Sequence, residues 1–147
     1  HVTGEARIGL SSSVFIPYNL NQNTMTMTKT ASRRTIVITG GLGNLGSKLC
    51  RHLLSNDDTP PKVILLEHPA FIDASKPPPH PDATIFPCDL GSPNLNELEA
   101  ILSGDVDTVI HFSAVNPYPN ATWGESAQSM DHTFNIFQMA VKCHVRR

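Results

Sequence analysis

Residues Thr39–Lys48 read TGGLGNLGSK, with Gly40, Gly41, Gly43 and Gly46 set within seven positions straight after the apolar run Thr35-Ile36-Val37-Ile38. Three phosphate-holding loops share such a spacing. The P-loop needs Lys and Ser/Thr after its second glycine, but Ser47 and Lys48 follow Gly46 in the reverse order, so no lysine meets the β/γ-phosphates. The glycine loop of kinases fits Gly41, Gly43 and Gly46, yet Lys48 stands where its valine belongs and no V-A-I-K or D-F-G follows. The dinucleotide turn between a strand and a helix fits in two registers, Gly41-Gly43-Gly46 and Gly40-Gly43-Gly46. Glycine clusters are common in turns, so the surroundings must decide.

The surroundings favour the dinucleotide turn. Arg34–Thr39 is a short β-branched run without polar alternation, as expected of a parallel strand buried on both faces. From Asn44 to Leu54, Leu45, Leu49 and Leu53 recur every four residues and predict one helical face. A second apolar run, Val63–Leu66, ends in Glu67, which lies 21 residues after Gly46. An acidic residue about 20 positions on is where a carboxylate meets the adenosine ribose hydroxyls. In this reading the glycines let the backbone turn and approach a pyrophosphate without a Cβ in the way. The helix start near Asn44 and Leu45 offers free N–H groups and a positive dipole end to the phosphates. Glu67 accepts hydrogen bonds from the ribose and repels a 2′-phosphate, which favours NAD over NADP.

The rest of the chain completes half of a doubly wound sheet. The segment His68–Asp82 carries four prolines between Pro77 and Pro81, which excludes a helix there and puts a loop in place of a crossover helix. Thr84–Asp89 is a third strand, moved towards a sheet edge by Pro87. Asn94–Leu102 is a short helix with Leu95, Leu98 and Leu102 on one face, and Asp107–Ser113 is a fourth strand. A long helix is expected from about Glu125 to Lys142, with Met130, Phe134, Phe137 and Val141 as its buried stripe. The fold class is therefore α/β: a partial Rossmann sheet of about four parallel strands in the order 3-2-1-4.

Composition removes several function classes. The 147 residues suit one domain, with a net charge of −2 from 11 basic and 13 acidic residues. Basic residues run no longer than the pairs Arg33-Arg34 and Arg146-Arg147, which argues against nucleic acid as a partner. No apolar stretch approaches the ~20 residues of a membrane span. Cys50, Cys88 and Cys143 are odd in number and far apart, so a disulfide scaffold or a zinc site is not expected and reduced thiols of a cytoplasmic protein fit better. The seven histidines show no metal-ligand spacing, and His111, inside an apolar strand, reads as structural. Residues 1–33 are rich in Ser, Thr and Asn without periodicity and read as a disordered leader; Glu5 is the only acid before Asp57, but no Arg-rich amphipathic helix supports a transit peptide.

Four segments in order resemble the extended short-chain dehydrogenases/reductases, the NAD-dependent epimerase/dehydratase group. Thr39–Gly46 resembles the T-G-x-x-G-x-x-G loop of that family. Cys88-Asp89-Leu90 resembles its D-[LIV] strand end, Val109–Ala114 its V-I-H-x-A-A strand, and Thr133-Phe134-Asn135 the T-x-N of the following helix. The resemblance implies that Gly40, Gly43 and Gly46 hold the pyrophosphate, Glu67 the ribose, and Asp89 with Leu90 the adenine. It places Ser113 and Ala114 along the pyrophosphate and nicotinamide ribose. Ser113 departs from the family's alanine, and Ser129 stands where the family has an asparagine four residues before the Thr of T-x-N.

The family's catalytic Tyr-x-x-x-Lys is missing, since Gln22 follows Tyr18 and Thr122 follows Tyr118 at that distance. The resemblance thus implies the N-terminal, cofactor-binding part of a longer enzyme, spanning 34–147, that uses NAD on a small-molecule substrate of the sugar or sugar-nucleotide class. The alternative is a non-catalytic NAD-binding sensor or interaction module. Only Asn116–Trp123, with Tyr118 and Trp123, reads as a segment able to reach a substrate. An unpaired apolar edge on the fourth strand predicts a poorly soluble or homo-oligomeric chain.

Overall fold

The computed structural model describes residues 33–56, 58–115 and 118–147. The leader therefore lies outside the described residues except for Arg33, as do Asn116 and Pro117. The order of elements is β1 (Thr35–Thr39), α1 (Asn44–Ser55), β2 (Lys62–Glu67), a 3-10 turn (Pro69–Phe71), β3 (Thr84–Pro87), α2 (Leu95–Leu102), β4 (Val106–His111) and α3 (Trp123–Lys142). The strands form one sheet in the order β3-β2-β1-β4, every pairing parallel. This is the half-wound Rossmann sheet the sequence predicts, with Pro87 on the edge strand.

Strand side chains alternate between two cores. Ile36 and Ile38 of β1 join Val63 and Leu65 of β2 under Cys50 and Leu54 of α1. Val37, Ile64, Leu66 and Val109 face the other way, against Leu98 and Leu102 of α2 and Ile136, Met139 and Ala140 of α3. Burial on both faces explains why these strands lack polar alternation.

Three helical faces differ from the expected ones. On α1 the buried residues are Gly46, Cys50 and Leu54, while Leu45 is exposed; the buried line runs one residue behind the leucine line. Gly46 leads that line because it packs directly on the glycine turn. On α2, Leu98 and Leu102 are buried but Leu95, in the first turn, is exposed. On α3 the expected stripe is reversed: Met130 is 66% exposed, Phe134 64%, Phe137 47% and Val141 76%. The sheet-facing side carries Thr133, Asn135, Ile136, Met139 and Ala140, whose polar members bond to strand ends. Ile136, Met139 and Ala140 fill the core on that side, while Phe137 meets His111 edge-on with ring centroids 5.8 Å apart and Met130, Phe134 and Val141 lie outward.

α3 also starts two residues earlier than expected. Thr122 caps it: its hydroxyl accepts from the N–H of Glu125 at 3.3 Å, and the Glu125 carboxylate accepts from the N–H of Thr122 at 2.7 Å. This reciprocal capping box accounts for the boundary.

The outer side of β4 is covered in part. The N–H of Val109 donates to the carbonyl of Arg147 at 2.8 Å, and the N–H of Arg147 donates to the carbonyl of Asp107 at 3.1 Å, the spacing of a parallel ladder. The Arg146 guanidinium adds an ion pair to Asp107 at 3.0 Å. Opposite, the Asp107 carboxylate accepts from the N–H of Thr35 at 3.1 Å, where the β1–β4 register shifts by one residue.

Candidate functional site

The parallel registers bring Thr39, Leu66 and His111 to one level, and Glu67 level with Pro87. Every strand therefore ends on the same side of the sheet. A cleft of about 990 Å³ opens there. It lies outside the carboxyl ends of the strands, where the sheet order reverses between β1 and β4, the general ligand position of open α/β sheets.

The glycine turn forms one wall. Gly40 has φ of +63°, and a Cβ on it would lie 3.0 Å from the backbone of Phe112 and Ser113, so a side chain is excluded twice. A Cβ on Gly46 would lie 2.4 Å from the carbonyl oxygen of Gly40. These two glycines set the turn and the helix approach, and the register is Gly40-Gly43-Gly46. Gly41 has a different reason to be glycine: its Cβ would meet the Leu65 side chain at 2.6 Å, on the core side.

Gly43 is the N-cap of α1 and supplies no side chain to the helix start, and the first turn contains no acidic residue. Among the described residues nothing therefore competes for the N–H groups of Asn44, Leu45 and Gly46. Uncapped N–H groups with the positive end of a 12-residue helix suit an anionic group. Leu45 is exposed because it lines this cleft rather than the core.

Glu67 is only 8% exposed. Its two oxygens accept from the N–H of Leu42 and of His68, each at 3.0 Å. The carboxylate thus ties the glycine loop to the end of β2 while lining the cleft. Asp89 lines the cleft beyond β3; one oxygen accepts from the N–H of Gly91 at 2.9 Å and the other lies 3.9 Å from Nε2 of His68. Ser113 and Ala114 line it beyond β4. Leu90 is the exception among the expected residues. Its side chain is 4% exposed and sits in the core with Leu98 and Ile136, so only its backbone remains for contact with a ligand.

The T-x-N segment has a structural part. Thr133 donates to the carbonyl of Ser129 at 3.0 Å, so its hydroxyl is left to accept from Nε2–H of His111 at 3.1 Å. That tautomer leaves Nδ1 of His111 to accept from the Thr39 hydroxyl at 2.7 Å. Thr39 in turn accepts from the N–H groups of Phe112 and Ser113 at 3.2 and 3.3 Å. His111 is therefore a link from β1 through β4 to α3, and burial, then His132, holds it below its ordinary value near 6.5. Asn135 donates to the carbonyl of Leu90 at 2.8 Å and fixes the β3 end. Ser129 accepts from the N–H of Val115 at 3.0 Å and donates to the carbonyl of Glu125 at 3.0 Å.

Several lining residues carry no motif of their own. His68, Phe71 and His132 come from the β2 end, the 3-10 turn and α3. Of the two aromatics expected to reach a substrate, Tyr118 lines the cleft, whereas Trp123, the first residue of α3, is 82% exposed and does not. Among the described residues no group of His, Cys, Asp and Glu is arranged to hold a metal. None of the described helices is long and apolar enough to cross a membrane.

A parallel sheet in this order, with a glycine turn, a bare helix start and a carboxylate at the next strand end, defines a dinucleotide-binding Rossmann domain. Residues 36–147 match the model of the NAD dependent epimerase/dehydratase family, and the chain belongs to that family. Solved structures share the fold. The Bordetella bronchiseptica enzyme WbmG in complex with NAD is 24% identical, with a TM-score of 0.60 over 81% of this chain and 37% of its own. Epimerase Mth375 from Methanothermobacter thermautotrophicus is 18% identical, with a TM-score of 0.61 over 77% of this chain and 33% of its own. Uronate dehydrogenase from Agrobacterium tumefaciens is 18% identical, with a TM-score of 0.53 over 75% of this chain and 37% of its own. The chain thus spans about a third of the length of these relatives. Among curated proteins no sequence match was found.

Proposed function

We propose that residues 34–147 bind NAD and serve as the cofactor domain of an oxidoreductase, epimerase or dehydratase acting on a sugar or sugar-nucleotide. The observation that carries this reading is the uncapped start of α1 facing a cleft that the buried Glu67 carboxylate, bonded to the N–H of Leu42 in the glycine turn, also lines. NAD, when bound, supplies the hydride acceptor. The chain's own residues bind and orient it. The N–H groups at Asn44, Leu45 and Gly46 face the pyrophosphate, and Gly40 and Gly43 keep the approach clear. Glu67 takes a ribose hydroxyl, Asp89 and the backbone of Leu90 the adenine, and Ser113 and Ala114 lie along the nicotinamide half.

Support for the substrate class comes from the family and from WbmG, solved with NAD and UDP, and uronate dehydrogenase. Within 34–147 the only tyrosine is Tyr118, with Thr122 four residues on, so the proton-transfer pair of the family's chemistry is not among these residues. A non-catalytic NAD-binding sensor or interaction module is the second reading. We further place the domain in the cytoplasm, in keeping with its three free cysteines, and propose self-association through the outer edge of β4, which Arg147 covers only in part.

Calorimetric titration tests the reading. NAD should bind, and NADP should bind at least tenfold more weakly, because its 2′-phosphate meets the Glu67 carboxylate. Equal or tighter NADP binding overturns the NAD assignment. A monomeric, monodisperse profile in size-exclusion chromatography overturns self-association.

A further inference from the structure

We propose that His111 is a positioning residue of the cofactor cleft: only in its neutral form does it hold the Thr39 hydroxyl in the state that joins the glycine turn to the end of β4. This rests on the dinucleotide reading above and adds to it a proton that opposes cofactor binding.

Two walls of the cleft meet at one oxygen. Thr39 ends β1 and precedes Gly40, the first glycine of the turn. Its Oγ1 accepts from the N–H groups of Phe112 and Ser113 at 3.2 and 3.3 Å. Gly40 packs on that same stretch of backbone, which leaves no room for a Cβ. The Gly40 carbonyl in turn accepts at 3.1 Å from the N–H of Gly43, the N-cap of α1. Displacing the Thr39 hydroxyl therefore displaces the glycine turn against Ser113, and Gly40 and Ser113 both line the cleft.

The protons around His111 are fixed from both ends. A hydroxyl has one proton and two lone pairs. Thr39 gives its lone pairs to two N–H groups, so its proton goes to Nδ1 of His111 at 2.7 Å. At the other nitrogen, Thr133 spends its proton on the Ser129 carbonyl at 3.0 Å, so Nε2 of His111 donates to Thr133 at 3.1 Å. The ring is thus neutral, with its one proton on Nε2. A second proton would sit on Nδ1 and face the Thr39 proton. For Nδ1 to donate, Thr39 must release an N–H group and turn its own proton to a new acceptor. Thr39 is 0% exposed, so bulk water does not supply one.

The surroundings favour the neutral ring. β1 presents only the Thr39 hydroxyl to it. α3 presents Thr133, the edge-on ring of Phe137 and the titratable His132, on which Asp89, His68 and Asp131 act in turn. Burial first and His132 second hold His111 below its ordinary value near 6.5. NAD binding, which needs the formed turn, is therefore at full strength at pH 7.5 and weakens as the pH falls through the window beneath 6.5. By linkage, bound NAD lowers the proton affinity of His111 further.

The test uses the full chain at pH 7.5 and pH 5.5, with the fold verified by circular dichroism. In calorimetric titration, NAD affinity should fall at least about twofold more in the native chain than in His111→Gln, whose amide accepts from Thr39 and donates to Thr133 at either pH. Other titrating groups of the cleft are common to both chains and cancel. Nitrogen-resolved NMR of the His111 ring should show Nδ1 unprotonated at pH 7.5, with a titration midpoint that saturating NAD moves to lower pH. A purely structural histidine would keep its midpoint. Equal pH dependence in the two chains, or a midpoint indifferent to NAD, overturns the proposal and leaves the dinucleotide reading standing. Absence of NAD binding by the native chain at pH 7.5 overturns both. Should His111→Gln fail to fold, the midpoint in the native chain decides alone.

Discussion

The carboxylate of Glu67, at the end of β2, accepts a hydrogen bond from the backbone N–H of Leu42 at 3.0 Å, in the glycine turn 25 residues earlier. A single buried side chain thus shapes the loop that faces the anion and presents negative charge beside it. Removing it should damage structure and binding together. In Glu67→Ala the N–H groups of Leu42 and His68 lose their acceptor, at a cost of about 1–3 kcal/mol. Chemical denaturation should register that loss, and NAD affinity should fall at least tenfold in the same variant.

The turn is equally intolerant at Gly46. A Cβ there would sit 2.4 Å from the Gly40 carbonyl oxygen, a backbone atom that cannot rotate away. Gly46→Ala must push α1 off the turn, an overpacking strain of about 1–3 kcal/mol. Thermal unfolding should show a lower midpoint and NAD titration a weaker complex. Gly124→Ala is the contrast, since the nearest atom to its Cβ would be the Thr122 hydroxyl at 4.0 Å, an ordinary contact.

His111 should make stability depend on pH. Burial, then the neighbouring His132, lowers its proton affinity in the folded chain from an ordinary value near 6.5. The unfolded chain therefore binds more protons below about 6.5, and stability falls as the pH drops through the window beneath that value. The unfolding midpoint in urea should be lower at pH 5.5 than at pH 7.5. In His111→Gln that dependence should flatten, with His132 supplying the remainder by the same sign. Equal slopes in the native chain and the variant would contradict this.

Cys88 should be a poor nucleophile. Burial, followed by Asp89 and Glu97, pushes its thiol from 9.0 up to about 11. Since the thiolate is the reacting form, alkylation by iodoacetamide at pH 8 should be far slower than that of a free cysteine in solution. Peptide mapping by mass spectrometry resolves it from Cys50 and Cys143.

The strands were legible because each is a short β-branched run bounded by turn residues, and the glycine turn because a strand precedes it and a helix, a second strand and Glu67 follow. The helix faces were less so. A stripe such as Met130, Phe134, Phe137 and Val141 has the helical period but does not say which side meets the sheet. The packing decides that: the polar Thr133 and Asn135 face inward because strand ends offer them partners. One missed boundary did carry a signal, since Thr122-Trp123-Gly124-Glu125 is a capping box by pattern. The cleft residues His68, Phe71 and His132 carried none, for they meet only through the fold.

The central claim is that the start of α1 and the end of β2 hold the two halves of a dinucleotide's adenosine diphosphate. Amide-resolved NMR of the full chain during titration with NAD tests it most directly. The amide signals of Gly43, Asn44, Leu45 and Gly46 should move with those of Leu42 and His68, whose N–H groups rest on the Glu67 carboxylate. Shifts elsewhere with these six unmoved, or no shifts at millimolar NAD, would contradict the account.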